Sequence, residues 1–501
     1  MTRAQRTHLL GAVALVLAAL AATCALSPLA RQHFAQSALP LTLYVGAWLI
    51  AGVAAFRVWN MAIASNAQVP PAPIPVAGGT GLAIVLLALA AAAYWNDAIL
   101  DPLQHRGFPD YVTQMRGARR LLAGELPYDP TLRAWVDVNL PPITLLWLFA
   151  PFAALSDLAG RLAYFALNHL AFIAAVGLLL RSLRPPATVI SPLLWTILVV
   201  AVAAVFEPWH DSLRLGQQNG VVFFFLAVSA IAIAAGRDVL AGAALAAALI
   251  GKPSAALVGL YFLLARRWRA TVAAAATGLA AFLVTLPWTG IENWRFYLTE
   301  KAPQLLDGTP QQSNVALLAF HARLFLPLES LASFDAMPEV PLAQALTRAS
   351  QLIGVFALWR LVSRRGRILD GTTAYLELCV ALVLSLALVG HAWQSYTTWL
   401  IIAFVPLADP RLWAPLAPRL RGPLAAAAGL CYACLAINDV SLHRVVGSTS
   451  LLAAVFAALP TFALLLYAYL LALLTVTRDR ERGLLPRAST DTSRGTSSVS
   501  S

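Results

Sequence analysis

The chain is a succession of long apolar blocks, and that pattern limits what it can fold into more than any other feature. Blocks near 9–26, 39–58, 79–95, 161–181, 270–287, 346–363, 371–390 and 450–474 recur along it. Most have the length, about 17–25 residues, that spans a hydrocarbon core of roughly 30 Å. Charged residues make up only 12% of the 501, where a soluble domain carries about 25%. Water is therefore not the main solvent. The pattern predicts an all-α, multi-pass membrane protein.

The formal net charge of +12 does not point to nucleic acid, and no nucleic-acid partner is expected. The positive residues stand in short runs between apolar blocks, the positive-inside arrangement. Arg3, Arg6, Arg266, Arg267, Arg269, Arg364, Arg365, Arg367, Arg411, Arg419, Arg421, Arg478, Arg480 and Arg482 can all lie on one side at once. That places both termini in the cytoplasm, with about 14 crossings and two long outer loops, near 96–140 and 288–345. Between the loops, 141–156 either crosses or lies along the outer face, with 238–250 and 254–265 then two short spans. The second route puts Arg181, Arg184 and Arg237 inside and is preferred. Only Lys252 and Lys301 are lysines among 35 basic residues, a bias that fits a GC-rich bacterial coding sequence.

Residues 1–78 read as an N-terminal two-helix addition with a Pro-rich linker, 79–408 as a membrane core, 409–475 as C-terminal membrane helices, and 476–501 as a disordered cytoplasmic tail. The four cysteines lie in apolar blocks, so a disulfide framework is not expected. Cys431 and Cys434 read as small packing residues.

A transporter keeps its polar residues near the midplane on broken helices. Here they crowd into the first outer loop: Asp97, Asp101, Asp110, Arg116, Arg119, Arg120, Glu125, Asp129 and Asp137. A loop of that length tends to be functional. Residues 111–123 read as an amphipathic helix with Asp110 at its N-cap, its apolar side on the membrane surface, and Gly124 closing it.

Asp110-Tyr111, Gly117-Ala118, Leu121-Leu122-Ala123-Gly124 and Pro127-Tyr128-Asp129 follow one another in that loop. Downstream come Asn139-Leu140-Pro141-Pro142, Gly216-Gln217-Gln218-Asn219, Ala241-Gly242 with Gly251-Lys252-Pro253, Asn314 through Arg323, and Trp393 through Tyr396. In order and spacing this series, over about 79–408, resembles glycosyltransferase family 87. It departs from the family pattern at Leu140, at Val315-Ala316 and at Ser395, which stands where the family has His. The resemblance implies a GT-C-like helical bundle and inverting transfer of a sugar from a polyprenyl-phosphate donor. The transferred sugar would be a hexose or pentose, mannose-like as a first expectation. The acceptor would be an envelope glycolipid or polysaccharide at the outer face of a bacterial plasma membrane.

Attack by an acceptor hydroxyl needs a base, and Asp110 occupies the family's place for it. Departure of a lipid phosphate needs cations. Lys252, isolated in an apolar stretch beside Gly251 and Pro253, is the first choice, with Arg214 and Arg323. Asp101, Tyr111, His210, Gln217, Asn219, Asn314, His391, Trp393 and Tyr396 complete the expected substrate contacts. No cofactor is fixed by the sequence. No Asp-x-Asp occurs in it, and a divalent cation is left open. A secondary transporter or lipid flippase is the alternative reading; it calls for inverted repeats and midplane charges.

Overall fold

The computed structural model describes residues 94–484, with 88, 91 and 92 before them, apart from 105–107, 129–141, 188–190, 304–307, 333–338, 365–366, 368–369 and 437–450. The expected N-terminal helix pair of 1–78, the end of the tail and Asp129, Asp137 and Asn139 lie outside the described residues. Among the described residues the fold is all-α. An isolated antiparallel bridge between Asn314 and Trp393 is its β feature.

The main helices are α1 (Pro109–Leu122), α2 (Ile143–Ala153), α3 (Asp157–Ser182), α4 (Pro192–Ala204), α5 (Glu207–Leu215), α6 (Asn219–Ala234), α7 (Asp238–Gly251), α8 (Ala256–Leu264), α9 (Trp268–Thr289), α10 (Pro341–Val362), α11 (Gly371–Leu388), α12 (Pro418–Ala436) and α13 (Leu451–Leu484). Local chemistry sets several starts. Ser156 accepts from the Ala159 amide at 3.3 Å, Ser191 from Leu194 at 3.2 Å, and Asp370 from Thr373 at 2.8 Å, each satisfying an orphan N–H of a first turn.

Among the described residues, four helices are long and apolar enough to cross a membrane: α3, α9, α11 and Phe456–Arg480 within α13. The pair α4–α5, bent by 45°, makes a fifth if it is one span. The expected count of about 14 is for the whole chain, whose first spans lie outside the described residues. Several of the apolar blocks fold instead as helices of 10–17 residues, α2, α6 and α7 among them. At 1.5 Å per residue, α2 reaches only about 17 Å, too short to cross, and it packs against α1.

Close helix contact is made by glycines. A Cβ on Gly242 would stand 2.0 Å from the Ala270 carbonyl oxygen, joining α7 to α9. One on Gly371 would stand 2.1 Å from that of Ala234, joining α11 to the end of α6. Such small-residue seams let backbones approach where lipid supplies no hydrophobic drive. α11 is buried from Thr373 to Leu388, whereas α9 leaves Val272, Leu279, Leu283 and Trp288 exposed, as a lipid-facing helix does.

One end of the bundle carries a buried ionic cluster. Glu377, fully buried, accepts from Arg364 at 2.7 Å and from Arg367 at 2.6 and 2.9 Å. Arg364 also bonds Asp479, and Arg478 grips Asp370 at 2.6 and 2.8 Å. These bonds carry α13 beyond the expected boundary at 475: the helix runs on to Leu484. Because Gly371 abuts Ala234, α7 starts near this same end and α11 rises from it. Lys252, one residue past α7, therefore lies at the far end of a helix about 21 Å long that starts near the arginine-rich end.

Candidate active site

The site is built around the start of α1. Phe108 precedes it in the left-handed region (φ 39°), an uncommon state for an aromatic residue, with its side chain buried. Pro109 then takes the first helical position, where its missing N–H costs nothing. Asp110 thus falls inside the first turn rather than at the N-cap, which is Phe108, and no side chain caps the helix. The expected N-cap role of Asp110 is not what its carboxylate does. The helix is amphipathic as expected, but its apolar side does not rest on lipid. Tyr111, Met115 and Ala118 are buried against Leu145, Phe149 and Tyr164 of α2 and α3. Gly124 (φ 74°) follows the C-cap Ala123 as expected.

The Asp110 carboxylate instead accepts a hydrogen bond from Gln217 Nε2 at 2.6 Å. Gln217 follows Gly216, which ends α5 in the left-handed region (φ 71°). A Cβ on Gly216 would stand 2.8 Å from Tyr111 Cβ and 2.9 Å from Phe108 Cβ. Glycine is needed there twice over, for its φ and for the close approach of the α5–α6 turn to α1.

Gln217 Oε1 gathers three donors: Lys252 Nζ at 2.8 Å, Ser395 Oγ at 2.9 Å and Asn219 Nδ2 at 2.9 Å. Lysine can only donate, so the oxygen of the amide must face Lys252 and its nitrogen must face Asp110. An acid, an amide and a cation therefore stand in a fixed line. Beside it runs a second line. Gln114, one turn after Asp110, donates to Gln218 Oε1 at 3.2 Å, and Gln218 Nε2 donates to the Gly251 carbonyl at 3.0 Å.

Both lines end at the break between α7 and α8. Lys252 is extended (φ −149°, ψ 108°), and Pro253 starts a short 3-10 turn, Pro253–Ala255. The break leaves carbonyl groups of the last turn without helical donors, and Gln218 supplies one to Gly251. The Lys252 side chain is buried, with Nζ 3.4 Å from the centroid of the Tyr396 ring. The ring face favours a cation. Burial pushes the Asp110 carboxyl above the usual carboxylate range, against the opposing Lys252 charge and the Gln217 hydrogen bond.

The other expected residues fall into three groups, with Tyr111 apart. Gln217 joins Asp110 and Lys252 directly, Tyr396 meets Lys252, and Asn219 meets Gln217 and, through Nδ2, the Ser395 carbonyl at 3.1 Å. Arg214 is engaged with two acids: Nε with Asp101 at 2.5 Å and Nη1 with Glu207 at 2.5 Å. Glu207 also meets His210 Nδ1 at 3.3 Å, and His210 Nε2 lies 2.8 Å from the Ala204 carbonyl oxygen. Asp101, His210 and Arg214 thus form one buried ionic group behind the α5 helix. Arg323 donates to the carbonyls of Pro310, Gln311, Gln312, Asn314 and Ala457, all between 2.5 and 3.3 Å. It shapes the loop before the short helix Leu317–Arg323. Asn314 accepts from the Ala392 amide at 2.9 Å and so ties that loop to His391 and Trp393, whose rings pack together. Tyr111 packs against Tyr164, the rings tilted by 39° with centroids 5.0 Å apart.

Gln114, Gln218 and Glu207 were not singled out as contacts in the sequence. Gln218 was signalled by its place between two expected contacts. Nothing local marks Gln114 except that it shares a helix face with Asp110. Among the described residues, no group of three or more His, Cys, Asp or Glu side chains is placed to hold a metal ion.

No curated protein and no solved structure matches the chain. The model of glycosyltransferase family 87 matches residues 140–388. That span contains Gly216 through Asn219 and the Lys252 break, while Asp110 and Tyr396 lie on either side of it. With the amide line and the broken helix inside the matched core, the chain belongs to glycosyltransferase family 87.

Proposed function

We propose that the protein transfers a hexose or pentose, mannose-like as a first expectation, from a polyprenyl-phosphate donor to an envelope glycolipid or polysaccharide, with inversion. One observation carries this reading: the Asp110 carboxylate and the Lys252 ammonium are joined through a single glutamine whose two ends cannot be exchanged. In the reaction, Asp110 takes the proton of the acceptor hydroxyl. The acceptor oxygen bonds to the anomeric carbon from the face opposite the phosphate. The bond from that carbon to the phosphate oxygen breaks, and its electron pair leaves on the polyprenyl phosphate, which Lys252 holds. A carboxyl raised by burial is better matched to this base role than an ordinary one. Nζ makes a single hydrogen bond, to Gln217, which leaves donors for phosphate oxygens.

In this reading Arg214 keeps Asp101 and Glu207 in place, and Arg323 keeps the 310–314 loop in place; phosphate contact falls to Lys252. His391, Trp393 and Tyr396 border the sugar. The separation of Lys252 from the arginine-rich end supports an extracytoplasmic site in a bacterial plasma membrane; in this reading both termini are inside and the whole chain crosses about 14 times. The polyprenyl tail enters between helices from the lipid. The test is transfer from labelled polyprenyl-phosphate sugars to membrane lipid acceptors by the reconstituted protein. Asp110→Ala and Asp110→Asn abolish transfer in this reading; undiminished transfer by both refutes it.

A further inference from the structure

Two buried amide oxygens near the acid have no hydrogen-bond partner among the described residues: Gln114 Oε1 and Asn219 Oδ1. Gln114 is 6% exposed and Asn219 0%. Neither can be relieved by exchanging oxygen and nitrogen. The Gly251 carbonyl demands a donor, so Gln218 must present Nε2 to it and Oε1 to Gln114. Gln114 must then give its own Nε2 to Gln218, and its oxygen is turned away. Asn219 likewise spends Nδ2 on Gln217 Oε1 and the Ser395 carbonyl, both acceptors. A buried acceptor left without a donor is costly, and such exceptions call for a ligand or ordered water to fill them.

Gln114 follows Asp110 by one turn, about 5.4 Å along the same face of α1. Its partner Gln218 adjoins Gln217, and both glutamine lines end at the Lys252 break. The open oxygen thus lies within one sugar ring's reach of the acid. What it lacks is an O–H or N–H donor, which a sugar hydroxyl supplies.

We propose that Gln114 Oε1 accepts a hydrogen bond from one ring hydroxyl of the donor sugar, with Asn219 Oδ1 as the second such acceptor, so that Gln114 helps to set sugar specificity. This rests on the reading of the site given above and extends it to a residue that reading does not use.

The experiment pairs Gln114→Met, which keeps length and removes the oxygen, with polyprenyl-phosphate mannose and its four monodeoxy forms. Glucose and arabinose series are run in parallel. Donor binding is measured in an Asp110→Asn background, where no turnover confuses it, and kcat/KM in the otherwise native protein. Expected is a loss of about 10- to 100-fold for wild type with one deoxy donor, the same loss for Gln114→Met with the parent sugar, and no further loss when the two are combined. Unchanged binding of every donor by Gln114→Met means that water satisfies the oxygen and overturns the proposal. An equal loss across all deoxy donors means that the side chain only braces Gln218, and overturns it as well. Transfer that survives in Asp110→Asn sinks the catalytic reading while the binding cycle still stands or falls by itself.

Discussion

Replacing Lys252 by Met tests the joint between acid and cation most directly. Two effects should separate. The first is on chemistry: a preorganised donor at the departing phosphate is worth about 2.7–4 kcal/mol, so kcat should fall about 10²- to 10³-fold. The second is on folding. Lys252 is buried and its charge opposes the raised Asp110 carboxyl. Removing one member of a buried pair costs about 3–5 kcal/mol when the other stays charged. Asp110 is half-buried and can take up a proton, so about 1–3 kcal/mol is the better expectation. The double variant Asp110→Asn/Lys252→Met should recover most of that stability and none of the activity. The assay is thermal unfolding in detergent alongside single-turnover transfer from a labelled polyprenyl-phosphate sugar. If Lys252→Met keeps kcat within threefold, or changes KM alone, the lysine does not receive the leaving phosphate. If the stability losses of the single variants simply add, the glutamine-linked pair is not a coupled unit.

Asp110 must be ionised to accept a proton, and burial raises its pKa. Activity should therefore rise with pH through an inflection above the ordinary carboxylate value of about 3.9. A rate independent of pH from 4 to 8 would remove it as the base. Gly216→Ala forces a Cβ to within 2.8 Å of Tyr111 at a positive φ. It should cost at least about 1 kcal/mol and lower kcat together with stability; unchanged melting and transfer would count against the close α1 contact. Glu377→Ala leaves Arg364 and Arg367 facing each other without their buried carboxylate. A loss of about 3–5 kcal/mol is expected with kcat preserved in the folded fraction. A specific loss of turnover without loss of stability would contradict a purely structural role for that end of the bundle.

The membrane character and the helical class were legible in the apolar blocks, Lys252 in its local break, and the neighbourhood of Asp110, Gln217, Asn219 and Tyr396 in the order and spacing of the family-like motifs. A glycine–lysine–proline break in an apolar run stands out, and so does an acid at a helix start. Apolar length did not show where a run bends: it does not tell one long span from two short helices meeting at a break, as α4 and α5 do at 45°. Arginine roles were not legible either. Arg214 and Arg323 carry the charge that phosphate needs, but what a guanidinium does depends on which acceptors the fold brings near. Asp101 and Glu207 take the first, and five backbone carbonyls take the second. The N-cap expectation for Asp110 failed by two positions because Pro109 is a better first helical residue than a reading of caps alone allows.

The cost of putting a lysine in an apolar stretch, about 2.5–3.5 kcal/mol on insertion scales, is what makes the tandem glutamines intelligible. Breaking the helix at Gly251 creates two defects at once, an unpaired carbonyl and a buried ammonium. Gln218 repairs the first and Gln217 the second. Each glutamine has its other end left over, and adjacent residues of one turn send both ends to the same place, the first turns of α1. There they meet Asp110 and Gln114, four residues apart on one face. Repairing the break and fixing the acid are therefore the work of the same two side chains. The carbonyl and the ammonium fix which end of each glutamine is left for α1, and moving α1 by one residue would turn Asp110 and Gln114 away from those ends.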